Sequence, residues 1–227
     1  MRNEREKTLA ERLMKVRLFA GMSREEIAEI VRRVGSDVHR FASGETVFYE
    51  GTKSKWVIVV LSGRLTVFEP AAGGSRHPVR VVEPGGLIGS TMVTSNLEYY
   101  PGMAVASVAS EVVFLETAKI RQIWHEHKFE KFFANLYSIV SGEVLASWRK
   151  MSILACKKVE DRFMLYLRWY ASEVGESDVT LPFKSSEDCA SYLGVTRTAL
   201  SLAIKRLVAR GEIVHPGHSR FVICGIV

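Results

Sequence analysis

Residues 185–207 read Ser185-Ser-Glu-Asp-Cys-Ala-Ser-Tyr-Leu-Gly-Val-Thr-Arg-Thr-Ala-Leu-Ser-Leu-Ala-Ile-Lys-Arg-Leu207, the layout of two helices joined by a tight turn. Ser185 or Ser186 can cap a first helix, because a side-chain oxygen there accepts from a backbone N–H that has no partner inside the helix. Its inner face would hold Cys189, Ala190 and Leu193, with Ala190 small enough for a close helix crossing. Gly194 falls at the turn, where a left-handed backbone is easiest for glycine. Val195 then plugs the core and Thr196 can cap the second helix. In that helix Leu200, Ile204 and Leu207 form a buried stripe at helical spacing, which leaves Arg197, Thr198, Ser201, Leu202 and Lys205 facing outward.

Downstream, Glu212-Ile-Val214 and Phe221-Val-Ile223 flank Pro216-Gly217-His218, a hairpin signal that would supply a wing. A helix-turn-helix with a wing predicts a DNA-reading head whose second helix enters the major groove, where base edges differ between pairs. Arg197, in the first turn, is placed for guanine, and Thr198 and Ser201 for bases or methyl groups. Leu202 would meet a thymine methyl or simply cover the helix. Ser185, Ser186 and Thr196 complete the set at the helix N-termini. Lys205, Arg206, Arg210 and Arg220 suit phosphate, each having a solvated surface charge as its ordinary alternative. The net charge of +6 fits a polyanion partner but carries no information on fold.

Upstream, Lys128 to Leu154 contains no proline and one glycine, which predicts one long helix. Phe133, Tyr137, Val140, Val144, Ser147, Met151 and Leu154 recur at steps of four and three, the spacing of a coiled-coil seam, with Ser147 the one polar member. Leu136, Leu145 and Trp148 give a second apolar face. Two readings follow: a seam that pairs with a second copy, or an amphipathic helix packed on its own domain. A shorter helix is expected over Glu160 to Glu173, with Phe163, Met164, Leu167 and Tyr170 inward. From about Val38 to Leu115 the texture is short β-rich runs (57–61, 65–68, 79–82, 103–106 and 112–115) broken by glycine turns, which points to a sandwich or barrel. A helical stretch, roughly Arg5 to Arg33, precedes it.

Composition narrows the classes. Hydrophobic residues make up 47% of the 227 and charged residues 25%, as in globular proteins. Met1 to Lys7 is too charged for a signal peptide and no apolar run reaches the ~20 residues of a membrane span, so a cytoplasmic protein without a membrane partner is expected. Cys156, Cys189 and Cys224 form no CxxC pair, which fits a reducing compartment and gives no metal site. A barrel enzyme of the cupin kind would need converging ligands. His125 and His127 have the wrong helical spacing and there is no HExxH motif, so no catalytic residue and no enzyme is expected.

Leu18-Phe19 with Met22-Ser23, Gly44-Glu45, Glu50-Gly51, Leu61-Ser-Gly63, Pro84-Gly85 with Ile88-Gly89, and the helix-turn-helix are in their order and spacing similar to the CRP/FNR family of bacterial transcription regulators. The resemblance implies an α+β fold: an N-terminal double-stranded β-helix (jelly-roll) sensor barrel over 1–117, a linker and long dimerisation helix over 118–156, and a C-terminal winged helix-turn-helix over 157–227. It also implies a homodimer on a pseudo-palindromic operator, an effector in the barrel, and RNA polymerase as a partner.

Against that family the sequence departs at the effector. Cyclic-AMP-binding members hold ribose with a Gly-Glu pair and phosphate with an Arg-Ser pair; here those positions align with Gly89-Ser90 and Tyr100-Pro101. Between Pro84 and Thr117 there is no lysine or arginine, and a buried phosphate without a cation is expensive. The usual mode of cyclic AMP binding is therefore not expected, with Arg64, Arg76 and Arg80 as alternative sources of charge. Leu87, Ile88, Gly89, Ser90, Tyr99, Tyr100 and Met103, closed by Leu145 and Trp148, outline a pocket for an unknown small apolar or aromatic effector, or else a barrel core filled by its own side chains. Haem on His39, His77, His125 or His127 is the alternative sensor, against plain surface histidines; three scattered cysteines argue against an iron–sulfur cluster. In the reading helix, Thr198 and Leu202 replace a glutamate and an arginine common in the family, so the operator need not be the family's best known. Sequence-indifferent DNA binding is the remaining alternative.

Overall fold

A computed structural model describes residues 2–70, 72–95, 97–217 and 219–225, with the backbone alone for 2–6 and 72. The chain divides into two compact units, 1–142 and 143–227. Helices α1 (Arg2–Leu13) and α2 (Arg24–Val34) lead into eight strands: β1 (Ser36–Phe41), β2 (Thr46–Phe48), β3 (Trp56–Ser62), β4 (Leu65–Pro70), β5 (Arg76–Val82), β6 (Leu87–Ile88), β7 (Met103–Ala106) and β8 (Ser110–Glu116). Helix α3 (Thr117–Gln122) and the long helix α4 (Glu130–Ala155) follow, and the division between the units falls inside α4. The second unit continues with α5 (Val159–Val174), β9 (Asp178–Thr180), α6 (Ser186–Leu193), α7 (Arg197–Ala209), β10 (Ile213–Gly217) and β11 (Arg220–Ile223). The architecture is α+β, as the sequence indicates.

The expected helical stretch from Arg5 to Arg33 is broken. A 3-10 turn at Arg17–Phe19 separates α1 from α2, and Ser23 restarts the helix with a capping box, its hydroxyl accepting from Glu26 N (3.2 Å) and its own N–H donating to the Glu26 carboxylate (2.6 Å).

Two antiparallel sheets, ordered β1-β8-β3-β6 and β2-β7-β4-β5, build the strand-rich part. Four successive residues of β3, Val57 to Val60, are buried, which requires cover on both faces. Period-two alternation sends them to different places. Val57 and Val59 join Val113 and Leu115 of β8 under the helices, with Leu13, Phe19, Ile27 and Ile30. Ile58 and Val60 turn inward with Leu65, Ala104, Ala106 and Val112. Five strands fall where the sequence places them. β1, β2 and β6 are additional.

Helix α4 covers the predicted span. In its first half Phe132, Phe133, Leu136 and Ile139 are buried in the N-terminal core. Phe133 is thereby a correction: it packs edge-on to Phe132 (5.3 Å between ring centroids) and against Trp124 (4.9 Å), so it has no free face to offer a seam. The other large apolar members, Tyr137, Val144, Met151 and Leu154, are exposed, as are Leu145 and Trp148; Val140 is half-buried. Ser147 is exposed and donates back to the Glu143 carbonyl (2.9 Å).

In the C-terminal unit α5, α6, α7 and the sheet β10-β11-β9 close one core around Phe163, Leu167, Leu193, Leu200, Leu207 and Phe221. The hairpin differs from expectation at its tip. β10 runs through Pro216 and Gly217, and Gly217 pairs with Arg220. Pro216 and Gly217 of the expected turn thus belong to the strand, and His218 lies outside the described residues.

Candidate functional site

Ser185 caps α6, its hydroxyl accepting from Asp188 N (3.1 Å), which decides between the two candidate serines. Gly194 takes the left-handed conformation (φ 66°, ψ 39°) at the end of α6. A Cβ there would lie 2.8 Å from Leu154 Cδ2, the movable end of an exposed side chain, so it is the backbone conformation that calls for glycine. Thr196 then caps α7 by accepting from Ala199 N (3.2 Å).

A residue the sequence reading missed braces this turn. Arg162 of α5 donates to the carbonyls of Leu193 (3.2 Å) and Gly194 (3.3 Å) at the end of α6, and to those of Leu154 (3.3 Å) and Cys156 (2.9 Å) at the end of α4. Helix C-termini present carbonyls without partners and a partial negative charge, which a guanidinium satisfies. Nothing local in the sequence marks this bond, since α5 and α6 meet only in the folded unit.

Leu200 and Leu207 of α7 are buried and Ile204 half-buried; Ala203, absent from the predicted stripe, is buried with them. Arg197, Thr198, Ser201, Leu202 and Lys205 are all exposed on the opposite face. The basic residues from Arg197 onward separate into two groups. Arg206 donates to Glu160 (2.9 Å), Arg210 pairs with Glu212 (2.7 Å), and Arg220 forms a two-pronged pair with Asp178 (2.9 and 2.5 Å). Arg206 and Arg220 favour the charged form of their acids: Glu160 and Asp178 are both kept below the usual carboxylate range by that hydrogen bond. Arg197 and Lys205 have no ion-pair partner among the described residues. Arg206, Arg210 and Arg220, the residues expected at phosphate, are exposed and each is paired with an acid of the same unit, with Arg220 joining β11 to β9.

The predicted effector pocket is only partly assembled. Ile88, Met92 and Tyr100 face the barrel interior, whereas Leu87 points the other way, into the core beneath the helices. Tyr100 is buried, stacks on Phe48 (4.1 Å) and donates its hydroxyl to the Trp56 carbonyl (2.6 Å); burial pushes its ionisation up to about 12. Gly89 (φ 81°) sits where a Cβ would lie 2.7 Å from Trp56 O, so Gly89→Ala is expected to cost the N-terminal unit about 1–2 kcal/mol. A urea midpoint unchanged from the wild type would contradict this.

Ser90 is buried, Met103 half-buried and Tyr99 exposed, with a backbone bridge to Lys53. Leu145 and Trp148 belong to the second unit and are exposed there. The three arginines offered as alternative charges are engaged: Arg80 donates to the Leu87 carbonyl (2.7 Å), Arg64 faces Glu83 (3.6 Å) and Arg76 faces Glu50 (4.0 Å). Of the histidines, His39 is bonded to Asp37 (2.7 Å) on exposed β1 and His77 is exposed. Among the described residues no three His, Cys, Asp or Glu side chains are grouped to hold a metal ion, and no helix is long and apolar enough to cross a membrane.

Residues 38–127 match the family model of the cyclic nucleotide-binding domain. Solved structures with a similar fold include the catabolite activator protein of Thermus thermophilus (18% identity over 91% of this chain and 93% of that one, TM-score 0.54). FixK2 of Bradyrhizobium japonicum is similar over 84% of this chain and 93% of its own (18% identity, TM-score 0.51). The c-di-GMP-responsive global regulator CLP of Xanthomonas campestris is similar over 88% and 100% (19% identity, TM-score 0.52). At these identities the likeness shows the fold. No curated protein sequence matches significantly.

Proposed function

We infer, from the premise that this chain carries the domain and the fold of the CRP/FNR regulators, that it is an effector-responsive, sequence-specific DNA-binding transcription regulator. In this reading 1–117 is a jelly-roll sensor, α6 to β11 form a winged helix-turn-helix, and α7 enters the major groove. One observation carries it: the outward face of α7 is a continuous exposed row in which Arg197 and Lys205 are the cations left without a partner among the described residues, while Arg206, Arg210 and Arg220 are paired with acids. A cation held in no ion pair meets DNA without first breaking one.

The exposed apolar residues along α4 suit a second copy of the same helix, since exposed apolar stripes of this length mark interfaces. A homodimer would present two heads to a pseudo-palindrome, with RNA polymerase as the downstream partner, in the cytoplasm. Selection of bound duplexes from random DNA tests the reading. The expected result is a two-fold symmetric consensus with half-sites roughly one helical turn, about 34–36 Å, apart. Binding of all duplexes alike, with steep salt dependence, would instead mean sequence-indifferent coating.

Cyclic AMP is not the effector in the usual mode. The aligned phosphate position is an uncharged, buried tyrosine with its hydroxyl already committed. A thermal-shift titration with micromolar cyclic AMP is expected to leave the melting temperature unchanged; a saturable rise would refute this.

A further inference from the structure

A cleft of about 530 Å³ opens beside Tyr100 and is lined by Val47, Phe48, Trp56, Ile58 and Phe114, with Lys53 and Lys55 among its lining. Its size and character fit a small-molecule site: mostly apolar walls with a few fixed polar groups. Phe48 stacks with Tyr100 (4.1 Å), and Trp56 meets Phe114 edge-on (5.8 Å), so aromatic surfaces built from four rings contribute to the walls. The lining contains two cations and no carboxylate. Neither Lys53 nor Lys55 has an ion-pair partner among the described residues.

The segment bearing these lysines is held by backbone bonds at both ends. Gly51 N donates to Tyr100 O (3.0 Å), Tyr100 N to Thr52 O (2.9 Å), Ser54 N to Glu98 O (2.8 Å) and Thr117 N to Lys55 O (2.9 Å). The Ser54 hydroxyl adds a bond to Leu97 O (2.9 Å). Fixing the backbone beneath two charged side chains reduces the ordering cost of binding.

We propose that this cleft binds a small aromatic monoanion, its ring between the aromatic walls and its carboxylate or phenolate on Lys53 and Lys55. Both lysines are exposed, so the charge stays at the solvated mouth and escapes the penalty of burial, while the ring gains the apolar contact. This names the ligand class behind the effector reading above and rests on that reading for its biological role. The cleft is also not the pocket outlined from the sequence, with which it shares Tyr100 alone.

Isothermal titration calorimetry of the full chain, without DNA, tests it with benzoate and with uncharged benzamide as probes. Benzoate is expected to bind saturably in the millimolar range or tighter, and benzamide at least several-fold more weakly. The K53Q/K55Q double variant should weaken benzoate about tenfold, and K53R/K55R should restore it. Equal binding of the two probes, unchanged benzoate affinity in K53Q/K55Q, or no benzoate heat at all would each overturn the proposal. Because no DNA is present, such a failure leaves the duplex-selection result standing, and the converse holds.

Discussion

Phe163→Ala is expected to unfold the C-terminal unit under conditions where the N-terminal unit remains folded. Phe163 has no solvent exposure and sits edge-on to Phe221, with ring centroids 5.1 Å apart. It joins α5 to the hairpin strand β11 within a core shared by α6 and α7. Truncating a buried phenylalanine loses its transfer energy and leaves a cavity, together about 3–5 kcal/mol. Domains of this size hold roughly 5–15 kcal/mol in all, so the head would be left near the edge of stability. Two-probe urea denaturation checks this, with Trp169 reporting on the C-terminal unit and Trp56 on the other in single-tryptophan variants. A C-terminal midpoint moved by less than the equivalent of about 1 kcal/mol would show that the ring is not part of a close-packed core.

The second large effect is on recognition. Arg197→Ala should weaken binding to the selected operator by about 1–3 kcal/mol and relax preference at one base pair, the signature of a lost bidentate contact to guanine. Lys205→Ala should weaken all duplexes alike and lower the salt slope by about one counterion. The contrast matters more than either number, because both residues are exposed on the same helix face and neither is tied to an acid among the described residues. Competition binding with single-base operator variants separates them. An Arg197→Ala profile that matches the wild type at every position would assign base reading to another residue.

How much of this was legible in the sequence depends on the range of the interaction. The caps at Ser185 and Thr196 and the left-handed turn at Gly194 are set by neighbours three residues away, and all three were readable. The strands with runs of β-branched residues, such as Val57 to Val60, were readable for the same reason. β1, Ser36-Asp-Val-His-Arg-Phe41, is polar and mostly exposed, and β6 has two residues, so neither offers a periodic signal. The heptad spacing of α4 found a stripe but not its partner: Phe133 satisfies the spacing and is consumed by Trp124 and Phe132.

The sequence reading places both Leu87 and Ile88 in the pocket, whereas adjacent strand residues face opposite sides and the two enter different cores. The pairing of Arg220 with Asp178 and the bonds from Arg162 to the Leu193 and Gly194 carbonyls join segments distant in sequence, and nothing at short range encodes them. The cleft lined by Trp56, Ile58 and Phe114 combines inward residues of β3 and β8 with a strap outside both strands, so its members are recognisable singly and their convergence is not.

The central claim is that the outward side of α7 lies against base edges. Attaching a DNA-cleaving iron chelate to Ser201→Cys, in a background with Cys156 and Cys224 changed to serine, tests it directly. Cuts clustered in the major groove of both half-sites of the selected operator are the predicted outcome. Cleavage spread evenly along the duplex, or none from a protein that still binds, would contradict the account.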